Sequence, residues 1–480
     1  MTVFGTPSRS MDEAMGTEEQ GLTDQTQSQA TRGRAGISAW GKRHWVSIAL
    51  VLISLVYGGA VTLLHDDAVS PIDEVVYLDY TFKVWDEGFV RQGETFGDDV
   101  AEVVACDHVV PFGDLGQKCG SGKVDLAGMP NKGITTGSGY TPAYFWTVRL
   151  IGDPIHAVTG LSQVTSWRLS GVIWLAGTML MLVGLLRRTG ASNVVAFTLG
   201  LLFIASPYAW WTYTYLSTDT SVVFFGAAIL FMTIEAVHGR RSPWWLLPLA
   251  VLAPLFKITN LLVFGLVLFY LAIHSIAARR RAKAAGEPPR ARSGSRRLWG
   301  AVALATVLAA AVQVVWMRLT PLLAVKGPGA DQGISSSLSG SELLRLMLSG
   351  VSGPITHNPA AGIFPSTIYG DVFIPLAWIM IAAIVGSLMV IRWDPERGPL
   401  IWATAIASVT ALPALGVVMA VLTQSYFDLP ARYGASLIPA ALVVVGFMLK
   451  NRIMIGVTAA YAVFLLVFGV ALAVRVGLAF

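Results

Sequence analysis

Residues 44–64 read HWVSIALVLISLVYGGAVTLL, and shortly after them comes Ser70-Pro71-Ile72-Asp73-Glu74. The first stretch has the length of about 20 apolar residues that a helix needs to cross a hydrocarbon core. The second sets two carboxylates just beyond that span, at the start of a long polar segment. A carboxylate held just above a membrane is placed to serve as a base for chemistry on a lipid-carried substrate.

Composition agrees with the span. The 480 residues are 54% hydrophobic and 13% charged, an excess of apolar surface that only lipid can solvate. The formal charge of +5 does not point to nucleic acid, because the basic residues cluster between hydrophobic runs, as the positive-inside rule requires. Heavy use of Ala, Val, Gly and Arg accords with a high-GC bacterial genome. The two cysteines, Cys106 and Cys119, both fall in the polar stretch after the first span. Outside the cytoplasm they would form a disulfide worth about 3 kcal/mol in the chain-entropy model; the alternative is a pair of free thiols. Two cysteines without paired histidines do not fill a zinc site.

Residues 1–38 are rich in Ser, Thr, Gln and Gly and read as a disordered cytoplasmic tail, with 39–480 forming the transmembrane domain. The first span lies too far from the start, and its apolar core is too long, for a cleavable signal. The pattern predicts an all-α polytopic membrane protein of about 11 transmembrane helices: 44–64, 167–186, 193–209, 219–237, 243–256, 259–277, 298–318, 372–391, 399–421, 434–449 and 453–474. The fifth is short and contains Pro248 and Pro254, so it reads as a broken or re-entrant helix. With the tail inside, the inner segments hold 21 of the 34 Lys and Arg residues, which fixes the expected orientation in the plasma membrane and puts the C-terminus outside. The loop at 65–166 is then extracytoplasmic and large enough for a small, partly helical subdomain, with helical patterning near Glu74–Asp86. The loop at 278–297 is cytoplasmic, basic and suited to anionic lipid headgroups. The loop at 319–371 is extracytoplasmic, with an amphipathic piece at Ser341–Leu348 for the interface.

This topology gathers polar residues at one boundary. Asp73 and Glu74 follow the first span, Asp219 opens the fourth, Lys257 lies between the fifth and sixth, and Arg432-Tyr433 enters the tenth. Ionisable residues at membrane depth are candidates for function. Each also has a structural reading: the acids as helix caps, Lys257 as a snorkelling lysine, Arg432 as a headgroup anchor. As a set they suit transfer from a lipid phosphate, a carboxylate taking the acceptor's proton while cations hold the departing phosphate. Arg does so with a bidentate fork and Lys as a point charge. Asp73, Glu74 and Asp79 are also hard oxygen ligands of the kind that hold Mg²⁺ or Mn²⁺, and structural acids explain them equally well. His65, His108, His156 and His357 lack paired spacing and read as loop residues. The aromatic run Tyr208–Tyr215 suits an interfacial belt or a surface that stacks on sugar rings.

At these residues the chain resembles the GT-C superfamily, polytopic glycosyltransferases that take sugars from polyprenyl-phosphate donors. Pro71-Ile72-Asp73-Glu74, followed by Tyr77, Asp79 and Tyr80, is similar to the acidic motif that opens the first outer loop in members of that family. Tyr140-Thr141-Pro142-Ala143-Tyr144, Ser217-Thr218-Asp219, Phe256-Lys257-Ile258-Thr259 and Arg432-Tyr433 with Pro439 resemble further family elements. The motifs are short and degenerate, but the layout they mark covers residues 44 to 450. The resemblance implies a GT-C-like arrangement of helices. It implies an inverting hexosyl- or pentosyltransferase that moves a sugar from a polyprenyl-phosphate donor to a cell-envelope glycan, lipid or protein. Asp73 would be the catalytic base and Glu74 its partner or a metal-site acid. Lys257 and Arg432 would contact the donor phosphate, and Asp219, Tyr77, Tyr140 and Tyr433 would position substrate. Many relatives add a soluble C-terminal domain where this chain stops, so acceptor recognition would fall to the outer loops. Two other classes stay open: a transporter or flippase for a lipid-linked intermediate, which would put charges near the bilayer midplane in paired repeats, and a non-enzymatic envelope assembly protein.

Overall fold

The computed structural model describes residues 44–65, 67–286, 293–325, 336–357, 366–423 and 426–477. The expected tail at 1–38 lies outside them. The chain divides into two units. In the first, Met1–Ala49, the described residues are helical and open α1 (His44–Leu64). The second, Leu50–Phe480, carries everything that follows.

Among the described residues the fold is all-α, and its β pairing is confined to isolated bridges. Nine helices are long and apolar enough to cross a membrane, so the multi-pass reading stands. The expected eleven spans become these nine, one bent pair and one short helix. The bent pair replaces the third expected span: α6 (Asn193–Ile204) and α7 (Pro207–Thr214) meet at 62°. Ser206 causes the break, since its hydroxyl accepts from the Ala209 N–H and restarts the helix with Pro207 in its first turn. The fifth expected span is short, Pro243–Phe256, a 3₁₀ turn running into α9 (Leu246–Phe256).

Between α1 and α5 (Gln163–Arg188) the polar segment folds around α2 (Glu74–Glu87), α3 (Asp98–Asp107) and α4 (Ala143–Thr159). Tyr77, Tyr80 and Val84 of α2 pack with Tyr144, Phe145 and Val148 of α4 and with Trp167 of α5 in one buried cluster. Cys106 and Cys119 are joined in a disulfide across 13 residues of this segment. The amphipathic piece expected at Ser341–Leu348 is the front of α12 (Gly340–Thr356).

Three of the remaining helices begin with a 3₁₀ turn in place of a clean α N-terminus: Thr218–Ser221 before α8 (Val222–Val237), Ile258–Leu261 before α10 (Leu262–Ala284), and Ala431–Leu437 before α15 (Ile438–Met448). The third turn packs against the second and against α8, with the Ser436 hydroxyl donating to the Thr259 carbonyl. Contact with α8 requires a glycine, because a Cβ at Gly226 would stand 2.3 Å from the Ser436 carbonyl oxygen. Gly226→Ala is therefore expected to destabilise the protein by about 1–3 kcal/mol, the usual cost of overpacking. Gly177→Ala, whose added carbon would meet a Phe224 ring at 3.8 Å, should cost nothing. Thermal melts of the two purified variants check this, and equal midpoints would refute the contact.

Candidate functional site

Asp73 occupies the residue before α2 in a left-handed conformation, φ 61° and ψ −12°. A non-glycine residue there is strained, and Asp is among the few that tolerate it. The side chain makes no capping hydrogen bond, so the cap reading does not describe it. It turns instead toward Arg432, whose Nη2 stands 3.2 Å from Asp73 Oδ2. With 39% of its side chain exposed, it is the most open of the four charges that gather here.

The three 3₁₀ turns supply the other charges. Asp219 lies in the first of them and is buried. It is not the cap of that turn either, since Ser217 accepts from its N–H. Its Oδ2 stands 3.2 Å from Arg432 Nε, and its Oδ1 stands 3.5 Å from Lys257 Nζ with no hydrogen-bond partner among the described residues. Lys257, just ahead of the second turn, donates to Thr218 Oγ1 at 2.6 Å and sits over the rings of Tyr140 and Tyr433. Arg432, in the third turn, bridges the two carboxylates. Aromatic faces and a shared carboxylate thus stabilise two cations that would otherwise be costly to bury.

Tyrosines close the constellation. The Tyr77 hydroxyl lies 3.4 Å from Asp73 Oδ2 and 3.3 Å from the Tyr140 hydroxyl, and Thr218 Oγ1 donates to it. Burial foremost, then Tyr140 and the two acids, holds Tyr77 well above the usual phenol range, and burial followed by Asp73 does the same for Tyr140. Both therefore stay protonated as neutral donors. All the expected positioning residues, Asp219, Tyr77, Tyr140 and Tyr433, are brought together around Lys257 and Arg432.

Glu74 is not part of this group. It is fully buried, and its carboxylate accepts four hydrogen bonds: from Arg168 Nε and Nη2, from the Ser70 N–H and from the Leu216 N–H. With each oxygen accepting two hydrogen bonds, it braces α2, α5 and the approach to Asp219. The expected oxygen triad also disperses, because Asp79 is held by Lys83 Nζ and the Gly97 N–H. Burial raises the Asp79 carboxyl, against the pull of Lys83. Among the described residues the one grouping of three ligand types is Glu102 with Cys106 and Cys119, whose sulfurs are spent in the disulfide.

Three further expectations change. The aromatics from Tyr208 to Tyr215 are buried inside the protein, so they form core and neither belt nor sugar platform. His65 is fully buried and stacks on Tyr215 at 4.2 Å. His357 ends α12 within the electrostatic reach of Arg432 and Asp219. Burial foremost, then the Arg432 guanidinium, pushes its imidazole down to about 4, so it is neutral above that pH. In the sequence it stood only as one histidine of the long loop at 319–371, two helices ahead of the Arg432 segment.

No family model matches the chain. Its structure is similar to the crystal structure of ArnT from Cupriavidus metallidurans bound to undecaprenyl phosphate, at 18% identity and a TM-score of 0.41, over 85% of this chain and 60% of that one. A stretch of 78 residues is 38% identical to adenine phosphoribosyltransferase of Jannaschia sp. (strain CCS1), covering 16% of this chain and 40% of that protein. Both matches thus cover less than two thirds of the relative's length, and neither assigns a role to any residue here.

The saturated Glu74–Arg168 pair gives a clear expectation for stability. Arg168→Met leaves a buried carboxylate without its cation and should cost about 3–5 kcal/mol, whereas adding Glu74→Met should restore part of that loss. Melting midpoints of the two singles and the double check the coupling, and additive losses would show the pair to be unimportant.

Proposed function

We propose that the protein transfers a sugar from a polyprenyl-phosphate donor to a hydroxyl of a cell-envelope acceptor at the outer face of the plasma membrane. The observation that carries this reading is the arrangement around Arg432: a partly open carboxylate, Asp73, within 3.2 Å of a guanidinium that lies beside a second buried cation. Asp219, Lys257 and Arg432 sit where apolar helices begin. That placement suits a substrate with a lipid tail in the bilayer and a charged head at its edge.

In this reading Asp73 accepts the proton of the acceptor hydroxyl as its oxygen attacks the anomeric carbon. The bond from that carbon to the phosphate oxygen breaks, with inversion, and polyprenyl phosphate leaves with the electron pair. Arg432 and Lys257 hold the phosphate and stabilise the charge that grows on it. Among the described residues Arg432 Nη1 has no protein acceptor, so a phosphate can engage it while Nε stays on Asp219. Tyr77 and Tyr140, neutral donors, orient Asp73 and the sugar. A monophosphate leaving group is served by these two cations. The positive-inside distribution of Lys and Arg supports a cytoplasmic N-terminus and an outward-facing site.

Asp73→Asn preserves shape and tolerates the left-handed backbone, so it tests the chemistry alone. Transfer should fall by about 10²–10⁴-fold with unchanged binding of undecaprenyl phosphate, measured on protein in lipid nanodiscs. Arg432→Lys keeps the charge but loses the fork and should weaken that binding by about tenfold. Undiminished envelope glycosylation by a well-expressed Asp73→Asn protein would point to an assembly or transport role instead.

A further inference from the structure

The segment that delivers Arg432 is gripped by one helix at two places. Its N-terminal half contributes Leu346, fully buried with Leu412, Tyr426 and Leu429. Its C-terminal half lies close enough to α14 (Gly398–Thr423) that a Cβ at Gly350 would meet the Ser408 carbonyl oxygen. Added carbons at Gly353 and Gly434 would meet the Ala431 and Pro354 side chains, so α12 and the 431–437 turn pack glycine against side chain in close contact.

The first turn of α12 adds a polar clamp. Ser339 caps it, its hydroxyl accepting from the Glu342 N–H. Arg345 forks onto Glu342, Nε to Oε2 at 2.8 Å and Nη2 to Oε1 at 2.6 Å. The same Nη2 reaches Asp428 and, at 3.4 Å, the Leu429 carbonyl. Tyr426 donates its hydroxyl to Glu342, while its backbone carbonyl accepts from the Ser336 N–H at 2.6 Å. Asp428 is four residues ahead of Arg432, at most about 14 Å of chain.

We propose that Arg345 is a positioning residue for Arg432: its grip on Glu342, Asp428 and the Leu429 carbonyl sets where the Arg432 guanidinium meets a lipid phosphate. This rests on the donor-phosphate role of Arg432 given above. Stability does not explain the link to Asp428, because Arg345 is 44% exposed and Asp428 78% exposed, and exposed ion pairs contribute little. Geometry does: Arg432 must serve Asp73, Asp219 and a ligand from one guanidinium, and a displacement of about 1 Å in such a group costs up to about 10²-fold. The hydrogen bonds from Arg345 hold the Glu342 carboxyl down to about 2. A carboxylate depressed in this way keeps its partner above its ordinary pKa and loses it only as pH falls through the depressed value, so the clamp stays charged at neutral pH.

The test is the dissociation constant for undecaprenyl phosphate on full-length protein in nanodiscs, read with a melting midpoint for every variant. Arg345→Ala and Asp428→Ala should each weaken binding by about tenfold with midpoints near wild type, and the double variant should be no weaker than Arg345→Ala alone. Arg345→Lys, a point charge without a fork, should recover only part of the loss. Unchanged constants in both single variants would overturn the proposal. So would a loss that vanishes after correction for the folded fraction, which marks a structural role; if Arg345→Ala fails to fold, Asp428→Ala decides. A wild-type protein that does not bind the lipid overturns the donor reading itself, an outcome distinct from equal binding by wild type and variants.

Discussion

The buried ion pair of Glu74 with Arg168 holds the rest of the site in place. Both side chains are wholly inaccessible, and each oxygen of the carboxylate accepts two hydrogen bonds. Desolvating two charges is expensive and is tolerated only where geometry and extra hydrogen bonds compensate. Here the compensation has a spatial result. The Ser70 N–H ties down the loop that precedes Asp73, Arg168 ties α2 to α5, and the Leu216 N–H ties down the extended approach to Asp219. Tyr144 takes hold of the next N–H, that of Ser217. Asp73 is thereby kept in a backbone conformation that would relax elsewhere in a free chain.

The 3₁₀ turns explain how a membrane bundle can carry four charges at one end. An α N-terminus leaves unpaired N–H groups, and a 3₁₀ turn, with three residues per turn, gives the side chains at the helix entry a different spacing around the axis. Asp219, Lys257 and Arg432 emerge from or beside three such turns. Neighbouring backbones come together at Gly226 and Ser436, leaving the charged side chains to meet one another. Arg432 then bonds to one oxygen of each carboxylate, and the cluster sets two cations against two acids.

Much of this was legible in the chain itself. Hydropathy located the long helices, and Asp73, Asp219, Lys257 and Arg432, picked out together from the sequence, are residues the fold does bring together. The break at Ser206-Pro207 carried a cap signal, but the apolar run across it dominated the reading. The acidic pair was read as a functional unit, yet its two members point in different directions. What separates them is a cation 94 residues away inside α5, and no local pattern announces such a pairing. The aromatic run Tyr208–Tyr215 read as an interfacial belt or a sugar-stacking surface, but beyond the 62° bend its side chains are buried in the protein interior. His357 gave no periodic signal, because its importance comes from where α12 ends.

The sequence separations within the constellation carry a consequence for biosynthesis. Arg432 lies 213 positions after Asp219 and 359 after Asp73. A ribosome feeding the chain into a membrane therefore delivers Asp219 and Lys257 early, on neighbouring helices, where they can neutralise each other during insertion. Asp73 must wait without its guanidinium until nearly the whole polypeptide has emerged. The site forms late, so a chain truncated before residue 432 keeps its early ion pairs yet lacks the group that joins them.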